Sequence, residues 1–107
     1  MENMKILYVI VNAGFAEEIV DIARAEGAGG ATIMNARGGG AKQQTIMGIT
    51  IDSEKEIVLC VVKKDIAIRI MDAVKETAGI GTPAHGFCYF SPVERATETV
   101  SNENKIL

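Results

Sequence analysis

The chain has 107 residues, 48% of them hydrophobic, and a formal net charge of −3 at pH 7. That length makes a single domain, residues 1–107, with a real but modest core. The acidic balance leaves no basic stripe for nucleic acid, and no apolar run approaches the roughly 20 residues that cross a membrane. Aromatic residues are only 5% of the chain, so the core must be aliphatic and methionine-filled. The opening Met1-Glu2-Asn3-Met4-Lys5 is not the front of a signal peptide, and a cytoplasmic protein is expected.

Met4 to Val11 is an apolar run around Lys5 and Tyr8 and reads as a partly double-buried strand. Asn12-Ala13-Gly14 breaks it. Phe15, Ile19, Ile22 and Ala23 then follow at helical spacing, opposite Glu17, Glu18, Asp21 and Arg24. Gly27 stops this helix. Ala31 to Arg37 is a second strand, and Gly38 to Gln44 a loop. Met47, Ile49 and Ile51 alternate with polar or small residues, which is strand periodicity. Asp52-Ser53-Glu54-Lys55 looks like a turn or bulge, and Ile57 to Val62 is an unbroken apolar strand. Asp65 is the expected N-cap of a second helix with Ile66, Ile70, Ala73 and Val74 on its apolar face. Gly79 ends that helix, with Ile80 making the closing contact. Phe87 to Phe90 is the last strand, and residues from about 96 to 107 form a polar tail.

The order β-α-β-β-α-β predicts an α+β, ferredoxin-like sandwich. Right-handed crossovers place both helices on one sheet face. A strand as apolar as Ile57 to Val62 wants burial on both faces, so another subunit or a ligand is expected over the open one, and an oligomer is inferred.

Arg37-Gly38-Gly39-Gly40 is the first site candidate. A strand that ends in Arg and three glycines offers free backbone N–H groups beside a fixed positive charge, which suits an anion such as phosphate. A flexible connector with a chance Arg is the simpler alternative. The phosphate-loop and dinucleotide motifs are both absent. The second candidate is the loop Gly79 to Gly86. A helix cap explains Gly79 but leaves Gly81, Pro83, His85 and Gly86 in need of a reason, and His85 could meet a phosphate or simply face solvent. Lys55 and Arg95 are either solvated or supply charge to one cleft. Catalytic equipment is poor. Ser53 and Ser91 lack a local base, Cys60 and Cys88 look like buried hydrophobes, and there is one histidine. The chain reads as neither an enzyme nor a metal site.

Three segments carry a family resemblance. Gly30-Ala31-Thr32-Ile33 through Arg37-Gly38-Gly39-Gly40 resembles the second strand and loop of nitrogen regulatory protein P-II and its PII-like relatives. Glu54 to Leu59 resembles the family's third strand, and Gly86 to Val93 its last strand and exit. The resemblance covers the chain to about Arg95. It implies a ferredoxin-like homotrimer that binds a small-molecule effector, usually an adenine nucleotide (AMP, ADP or ATP), in clefts between subunits. Binding would reshape a long loop, the T-loop, here about residues 38–47, opposite a B-loop at about 79–86. The T-loop would then engage a target protein such as a membrane transporter or an enzyme. Carried over, Thr32, Arg37, Gly38 and Gly40 fall at the strand and T-loop base, Lys55 matches a family lysine near the effector, and Gly81, His85 and Gly86 belong to the B-loop. Gly39 and Arg95 join the expected effector residues from the chain's own glycine run and charge.

The chain departs from the best-known members of that family. Its T-loop is short and has no Tyr for uridylylation. Lys42, with Gln43 and Gln44, stands where a Gln helps to hold metal and 2-oxoglutarate. Thr82, Pro83, Ala84 and His85 replace a B-loop Lys that grips phosphates. Fewer phosphate-binding charges imply an effector with fewer phosphates: AMP, ADP, another nucleotide or a small anion. The expected protein is a PII-like signalling regulator. The alternatives are an effector-independent trimeric adaptor and a metal-handling trimer of the same fold.

Overall fold

A computed structural model describes residues 3–39, 44–46, 49–51 and 53–98. The elements run β1 (Met4–Asn12), α1 (Ala16–Ala25), β2 (Thr32–Gly38), β3 (Gln44–Ile46), β4 (Ile49–Ile51), β5 (Ser53–Lys63), α2 (Lys64–Ala78) and β6 (Phe87–Pro92). Four strands form an antiparallel sheet in the order β2-β5-β1-β6. Each helix links two parallel strands that have one strand between them, the split βαβ pattern expected of a ferredoxin-like sandwich. Among the described residues, no helix is long and apolar enough to cross a membrane.

Alternation along the strands separates the two faces. Leu7, Val9, Val11, Val58, Cys60 and Val62 point to one side and are buried. They pack with Ile19, Val20 and Ala23 of α1 and with Ile66, Ile70 and Val74 of α2 in one core. Leu7, Ile19 and Ile70 are fully enclosed, and each such side chain stabilises the fold by about 1.5–3 kcal/mol. The other face carries Tyr8, Ile10, Ile57, Leu59 and Met34, which are half-buried or exposed. Tyr8 stacks on Tyr89 there at a centroid separation of 5.0 Å.

Local expectations fail at several points. Ser53, Glu54 and Lys55 are strand rather than turn, because they pair with Gly38, Arg37 and Ala36 across β2. Gln44 to Ile46 belongs to a separate two-stranded ribbon with Ile49 to Ile51, so the loop gives way to strand at Gln44. Asp65 is not the N-cap. β5 runs directly into α2 through Lys63, and Asp65 instead sits in the first helical turn, where its charge suits the helix dipole. Gly79 leaves α2 in an extended conformation, not the left-handed one, and Ile80 is 63% exposed. The helix end is closed by Gly86, whose N–H donates to the Ala78 carbonyl at 2.7 Å. Cys60 is buried as expected, but Cys88 on the edge strand β6 is only partly covered. Gly40, Lys42, Gln43, Met47, Gly48, Asp52 and the tail from residue 99 lie outside the described residues.

Candidate functional site

One end of the sheet gathers most of the sequence candidates. Asn12, the last residue of β1, stands opposite Lys55 of β5, and Lys55 stands opposite Ala36 of β2. Residues that face each other across a ladder share a face. Lys55 therefore projects from the open face, and its ammonium Nζ donates to Asn12 Oδ1 at 2.6 Å. Gly38 lies against the stem of the same lysine. A Cβ at Gly38 would sit 3.3 Å from Lys55 Cε, so a side chain there would press the lysine aside by a few tenths of an ångström.

The loop between α2 and β6 hangs over this end. Asn12 Nδ2 donates to the Pro83 carbonyl at 2.9 Å, and the Asn12 backbone N–H donates to the Ala84 carbonyl at 2.9 Å. Inside the loop, Thr82 Oγ1 donates to the Gly79 carbonyl at 2.7 Å, and His85 N–H donates to the Thr82 carbonyl at 3.0 Å. Ala84 is buried beneath it. His85 is exposed and takes φ +49°, a left-handed conformation that costs energy in a non-glycine residue. The loop thus holds its imidazole outward at the site.

Arg37 stands opposite Glu54 on β5. The pleat directs both to the helix side, away from Lys55. The two cations therefore flank the strand ends from opposite faces. On Arg37's side of these strand ends is a hollow of about 330 Å³ lined by Ala13, Asn35, Arg37, Glu54, Lys55 and Glu56. Glu56 is already engaged: its Oε1 accepts from the backbone N–H of Gly14 at 2.7 Å and of Ala16 at 3.3 Å. A second hollow, about 540 Å³, lies between the end of α2 and β6 beside Met71, Asp72, Ile80, Phe87 and Cys88. Burial, reinforced by the nearby Asp72 charge, raises the Cys88 thiol pKa, and burial alone raises that of Cys60 to about 11. Neither is poised as a nucleophile.

Arg37, Gly38, Gly39, Lys55, Gly81, His85 and Gly86 thus share one end of the molecule. Thr32 stands opposite Leu59, four residues from Ala36 along β2, roughly 13 Å away at strand rise. Arg95 is at the far end altogether. Val93 N–H donates to the Met4 carbonyl, and Met4 to Asn12 spans roughly 26 Å of strand. Sequence reasoning missed Asn12 and Glu56. Asn12 reads locally as a turn former, and its partners lie 43 and 71 residues away.

The comparisons with known proteins agree with this architecture. The family model for nitrogen regulatory protein P-II matches residues 4–103. A "nitrogen fixation nifHD region glnB-like protein 1" of Methanococcus maripaludis is 30% identical over 99 residues, covering 87% of this chain and 90% of that protein. The fold is similar to B. subtilis GlnK (TM-score 0.67, 16% identity, 86% of each chain) and to GlnK in its ATP complex (TM-score 0.65, 16% identity, 88% of this chain and 87% of that one). A PII-like signalling protein of Thermus thermophilus aligns with TM-score 0.64 and 19% identity over 82% of this chain and 84% of its own. The likeness in sequence along nearly the whole length, on a βαββαβ sandwich, makes this chain a member of the nitrogen regulatory protein P-II family of signal-transduction regulators.

Proposed function

We propose that the protein works as a homotrimer that binds an adenine nucleotide of few phosphates at the Asn12–Lys55 end of each sheet and signals to a target protein through residues 38–47. The observation that carries this reading is the meeting of Lys55, Gly38 and the loop 79–86 around one side chain, Asn12. An effector seated there touches both the root of the T-loop and the B-loop. Lys55 supplies positive charge from the open face and Arg37 adds charge at the same strand ends from the helix side. Gly38, Gly39 and Gly40 supply backbone N–H groups, and Gly81, His85 and Gly86 form the opposite wall. The family's GlnK neighbour solved with ATP supports an adenine nucleotide. The lack of a lysine in the loop 79–86 favours AMP or ADP over ATP. The apolar open face supports association with further copies of the chain. Arg95 would then act from a neighbouring subunit, since its own chain holds it at the far end of the sheet. Thr32, also on the open face, would line the same interface. A membrane transporter or an enzyme is the expected class of target.

Such a switch works only if the nucleotide favours one state of the T-loop over the other. Calorimetry with AMP, ADP and ATP tests the reading, with Arg37→Ala as the control. Binding that weakens in Arg37→Ala supports it. Absence of binding by any of the three would sink it and leave the trimeric adaptor.

A further inference from the structure

We propose that Asn12 is a positioning residue that couples Lys55 to the loop 79–86, so that an anion drawing on the Lys55 ammonium also resets that loop. The inference deepens the nucleotide reading above and rests on it for the identity of the anion. The side-chain amide of Asn12 is used at both ends. Its oxygen accepts from Lys55 Nζ at 2.6 Å, and its nitrogen donates to the Pro83 carbonyl at 2.9 Å. A lysine ammonium can only donate and a carbonyl can only accept, so the amide has one workable orientation. The backbone N–H of the same residue holds the Ala84 carbonyl. One residue therefore ties a charged group of β5 to two successive carbonyls of the loop.

The coupling follows from this geometry. The Lys55–Asn12 bond is short and charge-assisted, and it polarises the amide that donates to Pro83. When a phosphate or carboxylate takes over the ammonium, Asn12 Oδ1 loses its donor. Its grip on Pro83 then weakens or turns, and Gly81 to His85 move with it. The neighbouring residues do not supply a substitute donor: Gly38 and Ala36 offer no polar side chain, and Glu56 is a carboxylate that only accepts, on the opposite face at the start of α1. Asparagine is specific to the task. Aspartate would hold Lys55 more tightly but would place a carboxylate against the Pro83 carbonyl, and alanine would serve neither partner.

The test uses the intact protein. In nucleotide-free NMR spectra, Lys55→Met is expected to move the backbone amides of Thr82, Ala84 and His85. The same substitution in an Asn12→Ala background is expected to leave them where Asn12→Ala alone put them. Loop shifts that persist without Asn12, or no loop shift in Lys55→Met, would overturn the proposal. In the binding arm, ADP is the probe. Asn12→Asp should bind it about tenfold more weakly than wild type, because a charged hydrogen bond must be broken first, and Asn12→Asp should add no further loss to Lys55→Met. Equal losses in both backgrounds would count against the coupling. If wild type binds no ADP, the nucleotide reading fails, and the amide shifts still decide whether Asn12 couples Lys55 to the loop.

Discussion

Glu56 caps a helix that its own strand does not touch in sequence: its carboxylate accepts from the Gly14 N–H at 2.7 Å, two residues before α1 begins. Helix α1 has Phe15 at its N-cap, with no side-chain hydrogen bond of its own. The sheet supplies the missing acceptor through Glu56, which also takes the Ala16 N–H. The cap therefore fastens α1 to β5 beside the proposed effector site.

Glu56→Ala is expected to cost about 1–2 kcal/mol, the usual loss for a removed helix cap. Glu56→Gln keeps an acceptor oxygen and should lose less. Glu54→Ala, at an exposed position on the same strand, should stay within about 0.5 kcal/mol of wild type. Urea denaturation of the three variants checks the ranking. Equal effects of Glu54→Ala and Glu56→Ala would show that the cap contributes nothing.

Two glycines of the loop 79–86 should respond differently to alanine. A Cβ at Gly86 would collide with the Ala78 carbonyl oxygen, which is backbone and cannot swing away. Gly81 has open space around it but sits at φ +97°. Gly81→Ala should therefore cost about 1 kcal/mol for a left-handed alanine, and Gly86→Ala about 1–3 kcal/mol or more for overpacking. Thermal melts of both variants test the order. A Gly86→Ala protein as stable as wild type would mean that the α2 end relaxes freely.

The regular parts of this fold were legible because they depend on periodicity. Phe15, Ile19, Ile22 and Ala23 mark α1 at helical spacing, and the apolar runs of β1 and β5 mark central strands. Boundaries were less legible wherever a long-range pairing decides them. Glu54 and Lys55 look like a polar turn, yet Arg37 and Ala36 across β2 hold them in strand. Asp65 has the right chemistry for an N-cap, but the unbroken passage from β5 starts the helix earlier. The same limit applies to the site. Arg37, Gly38, Lys55 and His85 stand out by residue type, whereas Asn12 gains its meaning only from partners that the fold brings to it.

Cys60 is expected to make stability fall at alkaline pH. Burial raises its thiol from the usual 9.0 to about 11. Between those values the unfolded chain has released the proton and the folded chain still holds it, so ionisation favours unfolding. The contribution is complete below pH 9 and is lost as pH rises towards 11, with a slope of at most about 1.4 kcal/mol per pH unit. Burial and the Asp72 charge push Cys88 the same way. Denaturation at pH 8 and pH 10 should show a smaller drop for Cys60→Ala than for wild type. Identical drops would remove Cys60 as the cause. Alkylation of the native protein should reach the partly exposed Cys88 before the buried Cys60.

The open sheet face gives the sharpest test of assembly. Tyr89 is 43% exposed and Phe87 is 56% exposed, both on the edge strand; Tyr8 of the neighbouring strand β1 stacks on Tyr89, and Phe87 lies tilted against Tyr89. These side chains point away from the helices, so their replacement leaves the core cluster around Leu7, Val58 and Ile70 intact. Tyr8→Glu puts a charge at the middle of that face, next to Leu59 on one side and Tyr89 on the other. In a monomer this costs little, because glutamate there meets water. Between packed copies it buries an unpaired carboxylate, which costs several kcal/mol. Sedimentation equilibrium should therefore find wild type as a trimer and Tyr8→Glu as a monomer with unchanged circular dichroism. A Tyr8→Glu protein that stays trimeric would show that the copies meet through another surface, and Arg95 would then need a different route to any shared site.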